Sequence, residues 1–443
     1  MSQESRAARH ARNAVHEDDN TMLRHLQQDT FDYFLNETNP ENGLVLDKTE
    51  ANWPASIAAV GLALAAYPIG VENGFVTRKE ARRRTLATLR FFLHSAQSED
   101  ADATGYKGFY YHFLDMKTGR RAWKCELSTI DTALLLAGVL TAAAYFARDT
   151  GEERELREIA DVLYRRADWQ WACNNAMTVA MGWTPESGFL PYRWQGYDEA
   201  LILYMLGLGS PTSQLPAESY TAWMSTYQWK RIYEYELLYA GPLFIHQLSH
   251  VWIDFRGIQD EFMRAYEIDY FENSRRATHV QQQYAMRNPL GFASYNERCW
   301  GITASDGPGL ATRRIKGVER QFYDYLARGV PFGPDDGTLA PWSVASSLPF
   351  APEIVLPTIR YFNHLQLREI YPYGFKATFN PTFTVKENRQ YGWVSKWHYG
   401  LNQGPIVMMI ENYRSGMLWE LMRKCEYLTT GLRRAGFTGA WLT

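Results

Sequence analysis

Glu199 lies in Trp194-Gln195-Gly196-Tyr197-Asp198-Glu199, where a loop of aromatic and glycine residues runs into an apolar segment. Desolvation in such a setting raises a carboxyl pKa toward the pH at which the group can deliver a proton. Glu126 and Asp131 open a second apolar run, Cys125-Glu126-Leu127-Ser128-Thr129-Ile130-Asp131, which continues as Thr132-Ala133-Leu134-Leu135-Leu136. Cleaving a sugar linkage needs two carboxyls flanking the bond, one protonated and one ionised. Each of these acids also has a plainer reading. An acid at a helix start caps the helix or complements its dipole, and Asp198 fits that role at least as well as Glu199. Asp306, in Trp300-Gly301-Ile302-Thr303-Ala304-Ser305-Asp306-Gly307-Pro308-Gly309, and the Asp335-Asp336-Gly337 segment read as turn chemistry. Trp300 beside Asp306 nevertheless makes a sugar platform conceivable there.

The aromatic content points the same way, with 15 Trp, 28 Tyr and 22 Phe. Most rings in any protein pack a core, but indole and phenol also pair a flat apolar face with a polar edge. That combination suits the C–H faces and hydroxyl rims of sugars. Trp183, Trp194, Tyr197, Trp300 and Trp393 are the candidates for substrate contact.

Other chemistries lack their residues. His246, His250 and Asp254 fall at i, i+4 and i+8, which puts them on one helix face, but a metalloprotease helix needs Glu where Gln247 stands. Core hydrogen bonding is the commoner role for such histidines, so no metal and no cofactor are expected. Cys125, Cys173, Cys299 and Cys425 form no C-x-x-C pair and no zinc spacing. Gly207-Leu208-Gly209 and Gly307-Pro308-Gly309 lack the third glycine of a dinucleotide loop, since Thr212 and Thr312 stand there. Neither a Walker loop nor G-x-S-x-G is present. Lys+Arg 46 against Asp+Glu 49 leaves no basic face for nucleic acid. The polar stretch Met1 to Asn20 has no apolar signal core, and no charge-free run reaches the roughly 18 residues of a membrane span. A cytoplasmic protein is the expectation, or a periplasmic one if a leader has been removed.

The elements that must position these groups read as helices. Thr21–Asn36 is amphipathic and stops at Asn39-Pro40. Ala55–Tyr67 and Ser128–Arg148 are apolar all round, the mark of interior helices, whereas Thr77–Ser95 and Glu152–Asp168 carry one polar face. Thr77 with Glu80 is a capping-box pattern. Further helices are expected near Asp198–Leu206, Ala217–Trp229, Leu237–Asp254, Ile258–Arg287, Val318–Ala327, Ala340–Ser347, Pro352–Leu365 and Ser415–Leu432. Inner helices alternating with outer ones predict an all-α double ring of helix hairpins. Residues 21–443 then form one domain behind a polar tail, residues 1–20. Long loops rich in Gly, Pro, Asp and aromatics separate the helices, as loops that build a site do. The stretch holding Phe375, Phe379, Phe383, Tyr391, Trp393 and Trp397 could include a short hairpin.

Several loops also resemble, in order, a known family. Gly108-Phe109-Tyr110-Tyr111-His112-Phe113-Leu114-Asp115, Glu126 to Gly138, Trp252-Ile253-Asp254-Phe255-Arg256-Gly257 and Trp300 to Pro308 are similar to the bacterial glycoamylase-like proteins. That group includes endo-β-1,2-glucanases and sophorose-releasing relatives (glycoside hydrolase family 144-like). The resemblance runs from about Phe31 to Arg414. It implies an (α/α)6 toroid, no metal and inverting hydrolysis of β-1,2-glucan. By the same resemblance Glu199 matches a carboxyl important for activity, and Asp131 and Glu126 match acidic positions beside the cleft. One departure stands in Gly400-Leu401-Asn402-Gln403-Gly404-Pro405, where the pattern places an acid before Gln-Gly-Pro. An amide cannot serve as base, so the second acid is Asp131 or another loop carboxyl, with Asn402 and Gln403 as substrate contacts. The alternatives are transglycosylation, as in cyclic β-1,2-glucan synthesis, and glucan binding without turnover.

Overall fold

A computed structural model describes residues 18–368, 372–385 and 392–442. Most of the polar N-terminal tail, residues 1–17, and Tyr391 fall outside them. Helices dominate, joined by loops that carry short strands. The chain groups into two compact units. One comprises Phe34–Gln228, Leu248–Glu272 and Arg414–Thr443; the other comprises the described part of Met1–Tyr33 with Trp229–Gln247 and Asn273–Tyr413.

In the first unit the inner-and-outer alternation is realised. Ile57–Glu72 is buried from Ile57 to Gly70, and Thr129–Tyr145 from Thr129 to Ala142. Arg78–His94 and Gly151–Arg166 cover them, burying only one face each. The two inner helices touch backbone to backbone, because Gly61 and Gly138 lie at their crossing. A Cβ on Gly138 would stand 2.0 Å from the Gly61 carbonyl oxygen. Gly138→Ala should therefore cost about 2–3 kcal/mol, since backbone cannot move aside as a side chain can. A urea midpoint equal to that of the wild type would refute this packing.

Caps start these helices where the residue types predict. The Thr77 hydroxyl accepts from the Glu80 N–H at 3.2 Å, but the Glu80 carboxylate turns away to Arg83 and Arg84 instead of closing the box. Pro68 does not end its helix. The helix runs on to Glu72, because Pro68 and Ile69 are buried and the last turn is closed by Asn73 N–H on the Ile69 carbonyl. Each inner helix follows a strand directly: Ala55–Ser56 leads into one and Leu127–Ser128 into the other. Leu127–Ser128 is the centre of a five-stranded antiparallel sheet ordered Gly105–Tyr106, Phe109–Tyr111, Leu127–Ser128, Gly182–Thr184, Gly188–Phe189.

The second unit packs Trp300, Trp342, Phe362, Phe379 and Ile406 into one core. Two expected helices are absent from the structure. Val318–Phe322 is a strand, paired with Ala311–Ile315. Its turn, Lys316-Gly317, has φ +50° and +82°, the left-handed pair that closes a two-residue hairpin. Leu237–Asp254 is likewise not one helix. Gly241-Pro242 breaks it, and two 3-10 turns, Leu243–His246 and Leu248–Val251, take its place. The common helix face for His246, His250 and Asp254 therefore does not exist. His246 Nε2 meets the Ala240 carbonyl, and burial pushes its pKa down to about 4. Asp254 pairs with Arg256 and Arg423. Ile258–Arg287 divides into Glu261–Ala265 and Tyr270–Arg287, and Ser415–Leu432 into Met417–Arg423 and Glu426–Arg434. The expected late hairpin pairs Phe379–Asn380 with Trp393–Val394. Among the described residues no helix is long and apolar enough to cross a membrane.

Candidate active site

The strand-to-helix junctions of the first unit gather its acids. In the sheet, Tyr110 faces Ser128 and Tyr111 faces Leu127. One step further along that register, His112 lies opposite Glu126, and the His112 N–H donates to the Glu126 carbonyl at 3.0 Å. Their side chains meet as well, with His112 Nδ1 2.9 Å from Glu126 Oε1. The other ring nitrogen, Nε2, lies 3.6 Å from Asp131 Oδ2. Asp131 is itself oriented by the cap of its helix: Ser128 Oγ accepts from its N–H and donates to its carboxylate. One imidazole thus bridges two carboxylates. Gly182 on the neighbouring strand leaves room for this, since a Cβ there would stand 2.9 Å from Glu126 Cγ.

The charges follow from the geometry. Burial opposes protonation of His112, but the charge of Asp131, the bond to Glu126 and the charge of Asp47 together raise its pKa to about 9. Burial would likewise raise Glu126, yet the His112 bond and charge bring it below its ordinary value. Asp47 is pushed up to about 6 by desolvation, partly offset by a bond from the Trp53 indole.

Glu199 belongs to the same unit, in the turn preceding the fully buried helix Leu201–Gly209. Desolvation is the main cause that pushes its pKa up to about 8, and the neighbouring charges of Asp198 and Asp131 add to it. Its side chain is only half-buried, so it can still reach a ligand. Asp198 is the acid occupied by the protein: its Oδ1 accepts from the Ala200 N–H and from the Trp223 indole, both at 3.0 Å. A carboxyl protonated at neutral pH close to a histidine-bridged carboxylate pair has the makings of general acid and base.

The aromatic candidates divide by exposure. Trp183 is half-buried in a cluster with Tyr106 and Trp171, and Tyr197 is half-buried against Tyr227 and Tyr270. Trp194 and Trp300 do not offer a face to a ligand. Trp194 is 7% exposed and donates to Thr129 Oγ1 at 3.0 Å, tying the Glu199 loop to the Asp131 helix. Trp300 is 0% exposed and donates to Thr358. Both support loops, because an indole closed in on all sides cannot stack on a sugar. In the second unit Asp306 accepts from the Thr378 and Ser395 hydroxyls at 2.7 and 2.6 Å, bracing the hairpin that carries Trp393. Trp393 itself is half-buried, while Asn402 and Gln403 lie buried in the first turn of Gly400–Arg414.

Residue types alone did not single out His112 or Asp47. His112 was visible only inside the Gly108–Asp115 segment, and its role depends on a strand register that no local pattern encodes. The signal that could have found it is the run Phe109-Tyr110-Tyr111, a strand ending at His112 before a second strand that begins just after Glu126.

Fold and site together define a class: a helix-rich chain whose loops carry a carboxyl raised to about 8 by burial and a histidine-bridged acid pair. The glycoamylase family model matches residues 191–426, and the chain belongs to that family. A solved glucoamylase candidate from Bacteroides uniformis is 31% identical over 97% of this chain and 100% of that one, with a TM-score of 0.84. The endo-β-1,2-glucanase of Chitinophaga pinensis, solved with sophorotriose and glucose, is 25% identical over 96% of this chain and 100% of that one, with a TM-score of 0.84. An exo β-1,2-glucooligosaccharide sophorohydrolase (non-reducing end) of Parabacteroides distasonis is 27% identical over 94% of this chain. The chain spans 58% of that relative's length.

Proposed function

We propose that this chain is a glycoside hydrolase that cleaves β-1,2-glucan, with Glu199 as proton donor. The observation that carries the reading is Glu199 itself: half-buried, raised to about 8, and beside the acid cluster of the Asp131 helix. In the reaction Glu199 gives its proton to the departing glycosidic oxygen. Asp131 takes a proton from water, directly or through a substrate hydroxyl, as the water attacks the anomeric carbon. Glu126, neutralised by His112, holds sugar hydroxyls, with Trp183 and Tyr197 as the aromatic contacts in the same unit. Trp393, Asn402 and Gln403 are proposed as further contacts, and Asp306 as the brace behind Trp393. The substrate class is supported by two of the named relatives, the endo-β-1,2-glucanase of Chitinophaga pinensis and the β-1,2-glucooligosaccharide sophorohydrolase of Parabacteroides distasonis. We further read the paired inner and outer helices as part of a single-domain (α/α)6 toroid spanning residues 21–443.

A panel of β-1,2-, β-1,3- and α-1,4-glucans, with product sizing and anomer detection, tests the function. New reducing ends from the β-1,2-glucan alone, in products shorter than the substrate, are expected. Products longer than the substrate would replace hydrolysis by transfer, and binding without turnover would reduce the chain to a glucan-binding protein.

A further inference from the structure

Trp123 is 56% exposed, an unusual position for so large an apolar ring. Its backbone makes this more telling. Trp123 and Lys124 both have left-handed φ, +54° and +52°, a conformation costly for a bulky L-residue and doubly so in succession. The turn is held in place by Arg121, whose guanidinium donates to the Lys124 carbonyl at 2.7 Å and to the Cys125 carbonyl at 2.6 Å. Arg121 is itself buried, paired with Glu186 at 2.7 Å and lying over the Tyr111 ring. A strained turn braced this thoroughly fixes one side chain in one place.

That side chain stands in a continuous row of rings. Trp123 packs edge-on against Trp53 with centroids 4.5 Å apart, and lies 5.2 Å from Phe113. Phe113 in turn stacks on His112 at 3.9 Å. The inner end of the row is thus the imidazole that bridges Glu126 and Asp131. Trp53 is locked at both ends of its indole: its N–H donates to Asp47, and Lys48 lies 3.7 Å over its ring. Core packing does not explain a row in which a tryptophan is 56% exposed to water.

We propose that Trp123, supported by Trp53, is a sugar-binding platform that stacks on a pyranose ring of the glucan beyond the bond being cleaved. The ligand class is a β-linked gluco-oligosaccharide long enough to reach from the carboxyl cluster past Phe113. The apolar C–H face of a pyranose matches an exposed indole, and a chain fixed at Glu199 would be led outward along this row. The inference rests on the hydrolase reading above and deepens it.

The test uses the full chain and β-1,2-gluco-oligosaccharides of increasing length. For Trp123→Ala, KM should rise about tenfold on the longer oligosaccharides and change far less on the shortest cleaved one, with most of the loss in KM rather than kcat. Trp123→Phe should recover most of the affinity, because a flat ring is kept. Wild-type tryptophan fluorescence should shift on adding a long oligosaccharide, and that shift should shrink in Trp123→Ala. An active wild type with KM unchanged at every length in Trp123→Ala overturns the platform alone. A wild type that neither binds nor cleaves β-1,2-glucan overturns the hydrolase reading and this one with it.

Discussion

Glu199→Gln should fold normally and release reducing ends from β-1,2-glucan about a thousandfold more slowly than the wild type, the usual scale for losing a positioned general acid. Gln keeps the shape of the side chain but has no proton to give. The wild-type pH profile should carry the same signature. With the Glu199 pKa raised to about 8, its proton is in place at neutral pH, and kcat/KM should fall as the pH rises through about 8. An ordinary carboxyl would already have lost its proton near 4.5. Stability should also fall with rising pH, over a window that begins lower. Between these two values the folded chain holds a proton that the unfolded chain releases, so stability declines as pH rises across that window. Removing the ionisable group removes the decline, and Glu199→Gln should be more resistant to urea than the wild type at pH 9. Near-normal turnover by this variant, measured as reducing ends per enzyme, would end the assignment.

The second large effect belongs to His112, which acts through the acids on either side of it. His112→Asn should lower kcat/KM about a hundredfold at neutral pH while keeping one hydrogen bond to Glu126. With the imidazolium gone, Glu126 loses the positive charge that helps bring it below its ordinary value, and no cation stands between it and Asp131. The acid limb of the pH profile should therefore move to higher pH in the variant. A merely structural histidine would lower activity without moving that limb, so an unmoved limb counts against the role. Stability falls with rising pH here as it does for Glu199, but here the charged form is the stabilising one. The folded pKa of His112, about 9, lies above the ordinary 6.5, so its contribution is complete below 6.5 and lost as the pH rises through about 9. The stability gap between wild type and His112→Asn should accordingly be widest in mild acid and close in alkali.

What was readable from residue order was whatever depends on neighbours a few positions apart. The two all-apolar runs became the inner helices because no face of them tolerates water, and the capping hydroxyl of Thr77 sits where a helix needs an acceptor. Glu199 stood out because an acid at the edge of an aromatic loop and a wholly apolar helix loses its water. The misreadings were local too. Val318–Phe322 looked helical until the left-handed Lys316-Gly317 pair turned it back as a hairpin, and the spacing of His246, His250 and Asp254 meant nothing once Gly241-Pro242 broke the helix.

Only the tertiary structure could decide what depends on contacts across many residues. The bridge from Glu126 through His112 to Asp131 depends on strand pairing between separate loops, and spacing alone carries no register. Burial sorted the tryptophans for the same reason. Trp194 and Trp300 are enclosed by distant segments and became struts, whereas Trp123, inconspicuous in the sequence, is held out in water by Arg121. Residue types set the chemistry available to this chain; long-range packing determined which side chains are free to perform it.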